Sequence, residues 1–251
     1  MIIFSTYKEP LEIATVYAVR SWNLAFPGAR IVFFGDFQTF PESGGLFFKN
    51  VKMFNGLPLI NDMFEQAMYG FNDPGPFLFI NADIIVTESL RLAAEFLEQA
   101  HARSRCGYLA VGQRTELTAP ANLVLYDHWE TLIAAKNGSP RLLPACGADW
   151  FLFNGFAFAN TTIPPFMIAR TAYDNWLIFD ALKRGVQVIN CTDGVTVYHQ
   201  THPEQKVRQS EEALENHRLA KESRPDWDAW HGWVNQASIT LSELRNAWDI
   251  L

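Results

Sequence analysis

The chain has 251 residues, with 20 Lys+Arg against 27 Asp+Glu and a formal net charge of −7. Hydrophobic residues make up 49% and charged residues 19%, which excludes a disordered chain and predicts one large packed domain, or a domain with an appendage. The acidic balance argues against a duplex nucleic-acid binder, which needs a basic face to displace counterions, and no apolar run is long enough to cross a bilayer.

Met1-Ile2-Ile3-Phe4-Ser5 has no basic flank and runs directly into a strand over 2–5, so the expected location is cytoplasmic. The cysteines Cys106, Cys146 and Cys191 are odd in number and far apart, and read as reduced thiols. Pro10 suits the first turn of a helix to about residue 26, with Ile13, Val16, Tyr17 and Arg20 at helical spacing and Pro27-Gly28 as its stop. A buried strand at 31–34 ends at Gly35-Asp36. Past a Pro-, Ser- and Gly-rich loop at 41–45, a third strand is expected at 51–54 and a helix at 59–69. Phe77-Leu78-Phe79-Ile80 is the clearest central strand, and Thr87 caps a helix running to about 102.

Strands follow at 108–111 and 150–153, then a helix at 173–184 closed by Gly185 and a strand at 186–189. After Pro203 a polar helix spans 204–224. Trp227, Trp230 and Trp233 then recur at three-residue spacing, as a stripe facing the main body, before a terminal helix at 241–251. The alternation predicts an α/β fold: a mixed, mainly parallel sheet flanked by helices, with residues 204–251 as a helical extension packed on 1–203. The 20 Phe, 8 Trp and 7 Tyr fit either an aromatic core or a sugar-stacking cleft.

Three segments carry chemistry. The strand 77–80 delivers Asn81 and Asp83 to its carboxyl end, where open α/β sheets bind ligands; a carboxylate there suits a divalent cation beside a diphosphate. Asp174 falls in the first turn of its helix, as a dipole-stabilised cap or as a general base; the helix terminus is expected to lower its pKa. In Val195-Thr196-Val197-Tyr198-His199-Gln200-Thr201-His202, two histidines just past a strand raise the prospect of an imidazole ligand, which favours Mn²⁺ over Mg²⁺.

Taken in order with Ser5-Thr6-Tyr7-Lys8, Phe34-Gly35-Asp36, Gly56-Leu57-Pro58-Leu59, Val111-Gly112-Gln113-Arg114, Gly147-Ala148-Asp149-Trp150-Phe151, Pro164-Pro165-Phe166 and Tyr173-Asp174-Asn175-Trp176-Leu177, these segments resemble the GT-A fold of nucleotide-sugar-dependent glycosyltransferases. More narrowly, residues 2–203 resemble the nucleotide-diphospho-sugar transferases of plants and large algal viruses. The resemblance implies transfer of a sugar from a nucleotide diphosphate, UDP foremost, to a glycan hydroxyl, with inversion and with Mn²⁺ or Mg²⁺ as cofactor. It implies that Ser5, Thr6, Asp36, Asn61, Asn81 and Asp83 surround the donor and that Asp83 and His199 hold the metal. Asp174 is then the base, with Arg114, Asp149, Trp150 and Trp176 around the acceptor or donor sugar. Asn81 stands where the family's first Asp is usual, which removes one charge from the metal site. A sugar nucleotidyltransferase would share the sheet but normally carries a Gly-rich phosphate loop after the first strand, which Ser5-Thr6-Tyr7-Lys8-Glu9 lacks. A non-catalytic sugar-binding relative is favoured only by Asn81.

Overall fold

Short runs of Phe, Ile, Leu and Val are buried on both sides of a strand only when a sheet is covered on both faces, and that is how these runs are used. The computed structural model describes residues 1–37, 46–71, 75–102, 106–200 and 209–248. The chain begins with β1 (Ile2–Ser5), α1 (Ile13–Ala25), β2 (Arg30–Phe34) and β3 (Leu46–Lys49). A hairpin of β4 (Met53–Phe54) and β5 (Leu57–Pro58) leads into α2 (Ile60–Tyr69), β6 (Phe77–Ile80), β7 (Ile84–Val86) and α3 (Glu88–His101). Then come β8 (Tyr108–Val111), β9 (Thr115–Leu117), α4 (Trp129–Lys136), β10 (Trp150–Phe153) and α5 (Tyr173–Lys183). The chain continues through β11 (Gln187–Asn190), β12 (Val197–Gln200), α6 (Glu211–Ser223), β13 (Ile239–Thr240) and α7 (Leu241–Trp248).

Among the described residues the main sheet has eight strands in the order β13-β11-β8-β10-β6-β1-β2-β3. Every neighbouring pair is parallel except those made by β10, which runs antiparallel to both β6 and β8. Alternate side chains feed two cores. Phe4, Phe34, Phe79, Phe151 and Phe153 point to the side covered by α2, α5 and α6; Ile3, Phe33, Ile80, Trp150 and Leu152 point to the side of α1, α3 and α7. The aromatic excess is largely core: Phe64 stacks on Phe153 with ring centroids 5.4 Å apart and packs edge-on against Phe4 and Phe79. A second sheet, β7-β12-β9, stands beside the main one.

Several expectations need correction. The first helix starts at Ile13, beyond Pro10. The third strand of the sheet is β3, whereas Met53–Phe54 pairs only with its own hairpin partner. Thr87 is the N-cap residue of α3, but its hydroxyl makes no capping bond and instead donates to the Thr196 carbonyl at 2.7 Å. The tryptophans after Pro225 lie in turns, not on a helical stripe: Trp227 is buried, Trp233 half-buried and Trp230 exposed. The segment after 209 also does more than cover the body, since β13 adds an edge strand parallel to β11. His202, the loop at 41–45 and the chain end at 249–251 lie outside the described residues.

Candidate functional site

In an open parallel sheet the carboxyl ends of the strands and the starts of the following helices face the same edge, and ligands collect there. β1, β2, β6 and β8 deliver Ser5, Asp36, Asn81 and Arg114 to that edge. β10 runs the other way, so the residue preceding it, Asp149, reaches the edge from the opposite direction. α5 begins there with Tyr173 and Asp174.

The turn Asn81-Ala82-Asp83 leaves β6 and enters β7, whose partner β12 sets His199 opposite Ile84. This brings His199 Nε2 to 3.2 Å from Asp83 Oδ2, with both side chains half-buried. Gln200 holds the turn: its buried amide donates to the Asp83 carbonyl at 2.9 Å and the Ala14 carbonyl at 2.8 Å. Two ligands in adjacent positions of an octahedral ion, each about 2.1 Å from it, stand about 3 Å apart, so this oxygen and nitrogen suit one cation. No group of three or more His, Cys, Asp or Glu side chains suited to a metal occurs among the described residues. A cation here would take Asp83 and His199, with phosphate oxygens and water completing its shell, the usual habit of Mg²⁺ and Mn²⁺ at diphosphates.

The second group is a chain of three side chains. Asn81 Nδ2 donates to Asp149 Oδ1 at 3.0 Å, and the Arg114 guanidinium pairs through Nε with Asp149 Oδ2 while NH1 donates to the Gly147 carbonyl at 2.7 Å. Asp149 therefore orients Asn81 and Arg114 by both of its oxygens. The arrangement also explains Asn81. An aspartate there would lose the donor and set two carboxylates 3.0 Å apart. Asn81→Asp is expected to lower stability by about 2 kcal/mol at pH 7. The shared charge raises the folded-state pKa of the pair, so the loss should shrink as the pH falls to 5. Urea unfolding at the two pH values measures this.

Asp174 is half-buried in the first turn of α5 and accepts N–H groups from Ala148, Asn175 and its own backbone. These contacts favour the carboxylate, but burial outweighs them and, with the charge of Asp149, pushes its pKa up to about 6. The expected lowering by the helix terminus is thus overturned. The fully packed Tyr173 phenol next to it is held well above its ordinary range, first by burial and then by the charges of Asp174, Asp149 and Asp83, against Arg114. Asp83, Asp149, Asp174 and Arg114 all act on that one phenol, so the groups from β6, β8, β10 and α5 share one neighbourhood.

Other sequence-derived site residues fall elsewhere. Ser5 is buried and donates to the Ile80 carbonyl at 2.5 Å, tying β1 to β6. Trp150 and Trp176 are 0% and 1% exposed, packed against Gly112 and Phe166, and neither offers a ring face to a sugar. Thr6 is half-buried at the end of β1. Asn61, in the first turn of α2, has a buried Oδ1 with no hydrogen-bond partner among the described residues. Exposed Asp36 lines a cleft of about 220 Å³ with Gly35, Asn50, Val51 and Met53; sequence reading missed the last three because Val51 and Met53 were assigned to a buried third strand at 51–54, whereas that strand is β3 and all three lie in the segment that leaves it. A larger cavity of about 510 Å³, lined by Met68, Phe77, Glu98, His101, Asn154 and Phe156, is at the opposite edge of the sheet, where β6 begins and β10 ends.

No protein-family model matches the sequence, and no curated protein matches it. Solved structures do. S. aureus TarS is 12% identical with a TM-score of 0.53, over 91% of this chain and 40% of that one. A mycobacterial protein is 11% identical with a TM-score of 0.52, over 91% of this chain and 76% of that one. The fold is GT-A. LgtC, described as a galactosyltransferase in complex with donor and acceptor sugar analogues, overlaps at 14% identity and a TM-score of 0.40, too loosely to carry an argument. The chain spans well under half of TarS, and at these identities the likeness shows the fold alone. No helix among the described residues is long and apolar enough to cross a membrane.

Proposed function

We propose that the chain is a glycosyltransferase that moves a sugar from a nucleotide diphosphate, UDP foremost, to a glycan hydroxyl with inversion at the anomeric carbon. The observation that carries this reading is the gathering of Asp83 with His199, Arg114 with Asp149, and Asp174 around Tyr173 at the carboxyl edge of a GT-A sheet. The cleft beside Asp36 and Asn50 is the candidate nucleoside pocket, where a carboxylate and an amide can bind ribose hydroxyls or a base edge. Mn²⁺ or Mg²⁺ on Asp83 and His199 would neutralise the charge that grows on the departing diphosphate.

Asp174 supplies the other half of the chemistry. As the acceptor oxygen bonds to the anomeric carbon and the bond from that carbon to the phosphate oxygen breaks, the acceptor proton passes to the Asp174 carboxylate. With a pKa of about 6 it is ionised at neutral pH, yet a stronger base than an ordinary aspartate. Arg114, steered by Asp149, offers its remaining N–H groups to the acceptor or a phosphate.

Calorimetry with UDP tests the reading. Wild type is expected to bind UDP at least tenfold more tightly with Mn²⁺ than with a chelator, and Asp83→Ala to lose that difference. UDP affinity in wild type that ignores Mn²⁺ would remove the metal, and no UDP binding at all would remove the donor site.

A further inference from the structure

We infer that Trp230 and Trp233 form a saccharide platform that receives the acceptor glycan. Trp230 is 71% exposed, Trp233 is half-buried, and their ring centroids are 5.8 Å apart at 46°. The loop that carries them is tightly braced. Gln236 Oε1 accepts from the backbone N–H groups of Gly232 at 2.7 Å and Trp233 at 3.2 Å, and its Nε2 donates to the Trp230 carbonyl at 2.9 Å. Asp228 Oδ1 accepts the Trp230 N–H at 2.8 Å, and the Trp233 indole N–H donates to the Ala229 carbonyl at 3.2 Å. A braced loop with an exposed indole presents a ring face at little backbone entropic cost. The negative face of an indole attracts the C–H bonds on the flat side of a pyranose.

The location identifies the occupant. Asn175, next to Asp174, donates to the carbonyls of Gly232 at 3.2 Å and Cys146 at 3.0 Å, and Val234 N–H donates to the Ala145 carbonyl at 3.0 Å. A Cβ on Gly232, whose φ is +74°, would fall 1.8 Å from the Asn175 carbonyl oxygen, so the loop lies directly on the first turn of α5. It thus touches both segments that deliver Asp174 and Asp149. The nucleoside cleft is at the end of β2, three places along the sheet from β10 and on the far side of Asp83. A sugar chain lying on the indoles would therefore sit on the side of the reaction centre away from the base, where an acceptor must enter. The inference rests on the glycosyltransferase reading for the role of the bound glycan, but its binding test does not.

The test is saturation-transfer NMR on the full chain with cellopentaose, maltopentaose, xylopentaose and chitopentaose. At least one is expected to give ring C–H signals in wild type that fall more than fivefold in Trp230→Ala and return in Trp230→Phe, with Tm and far-UV circular dichroism unchanged. No signal from any of the four, or signals that survive Trp230→Ala, would overturn the platform. So would a wild-type dimer in sedimentation that Trp230→Ala dissociates, since a second copy would then own the surface. The UDP titration separates the two readings: saccharide binding without UDP binding removes the transferase, and UDP binding without saccharide binding removes only the platform.

Discussion

Asp174→Asn is expected to lower kcat about 10³-fold, the scale of a lost general base, while UDP affinity stays within about twofold. The amide keeps an oxygen for the N–H groups of Ala148 and Asn175 but cannot take a proton. Turnover within tenfold of wild type would remove Asp174 from the mechanism. The pH dependence follows from its raised pKa. Below about 6 the carboxylate is protonated, so wild-type kcat/KM should fall tenfold per pH unit there. The same shift has a stability cost of opposite utility. Between an unfolded-state value of about 3.9 and a folded value of about 6, the native chain holds a proton that the unfolded chain has released. Stability contributed by this group is therefore present below pH 4 and lost as the pH climbs through 6. Asp174→Asn should be more stable than wild type by about 2 kcal/mol at pH 8, and no more stable at pH 3.5, by urea unfolding. A less stable variant at pH 8 would contradict the buried-charge account.

The largest stability loss is expected at Asp180, which plays no part in the proposed chemistry. This fully buried carboxylate accepts from Arg184 Nε at 2.7 Å, Thr161 Oγ1 at 3.1 Å and Arg224 Nε at 2.8 Å, with a further bond from Arg224 NH2. It ties α5 to the residue that ends α6. Asp180→Ala leaves two guanidinium groups half-buried without their counter-ion, a change that costs about 3–5 kcal/mol when buried pairs are broken. Denaturant unfolding measures it. A loss under 1 kcal/mol would mean that water replaces the carboxylate freely.

The central strands of the main sheet were legible where they are unbroken apolar runs. Phe77–Ile80 and Trp150–Phe153 appear at the residues expected from sequence. Strands of two or three residues, such as β7, β9 and β13, carry too little pattern to be read, and they complete the second sheet and the edge of the first. In the candidate site, the carboxylates stood out because acidic residues at strand ends and helix starts are visible in one dimension. Their partners were not. Nothing local says that Asp149 engages Asn81 and Arg114, 68 and 35 positions earlier in the chain, or that Gln200 holds the Asp83 carbonyl. The tryptophans misled in the other direction: Trp150 and Trp176 were read as pocket residues and are core, whereas Trp230 was read as packing and is exposed. Ring chemistry is the same in either role, and only the third dimension separates them.

The antiparallel strand in the main sheet, β10, has a consequence for how the molecule assembles. On one side of β10 stand β6, β1, β2 and β3, and on the other β8, β11 and β13; the two half-sheets share no ladder of their own. Without residues 150–153 in the slot between them, β6 and β8 would each keep a bare edge, and both pairings join segments far apart in the chain. Filling the slot draws Asp149 onto Asn81 and Arg114 in the same motion. The reaction centre and the sheet that bears it are finished together, and a nascent chain lacking β10 would own neither.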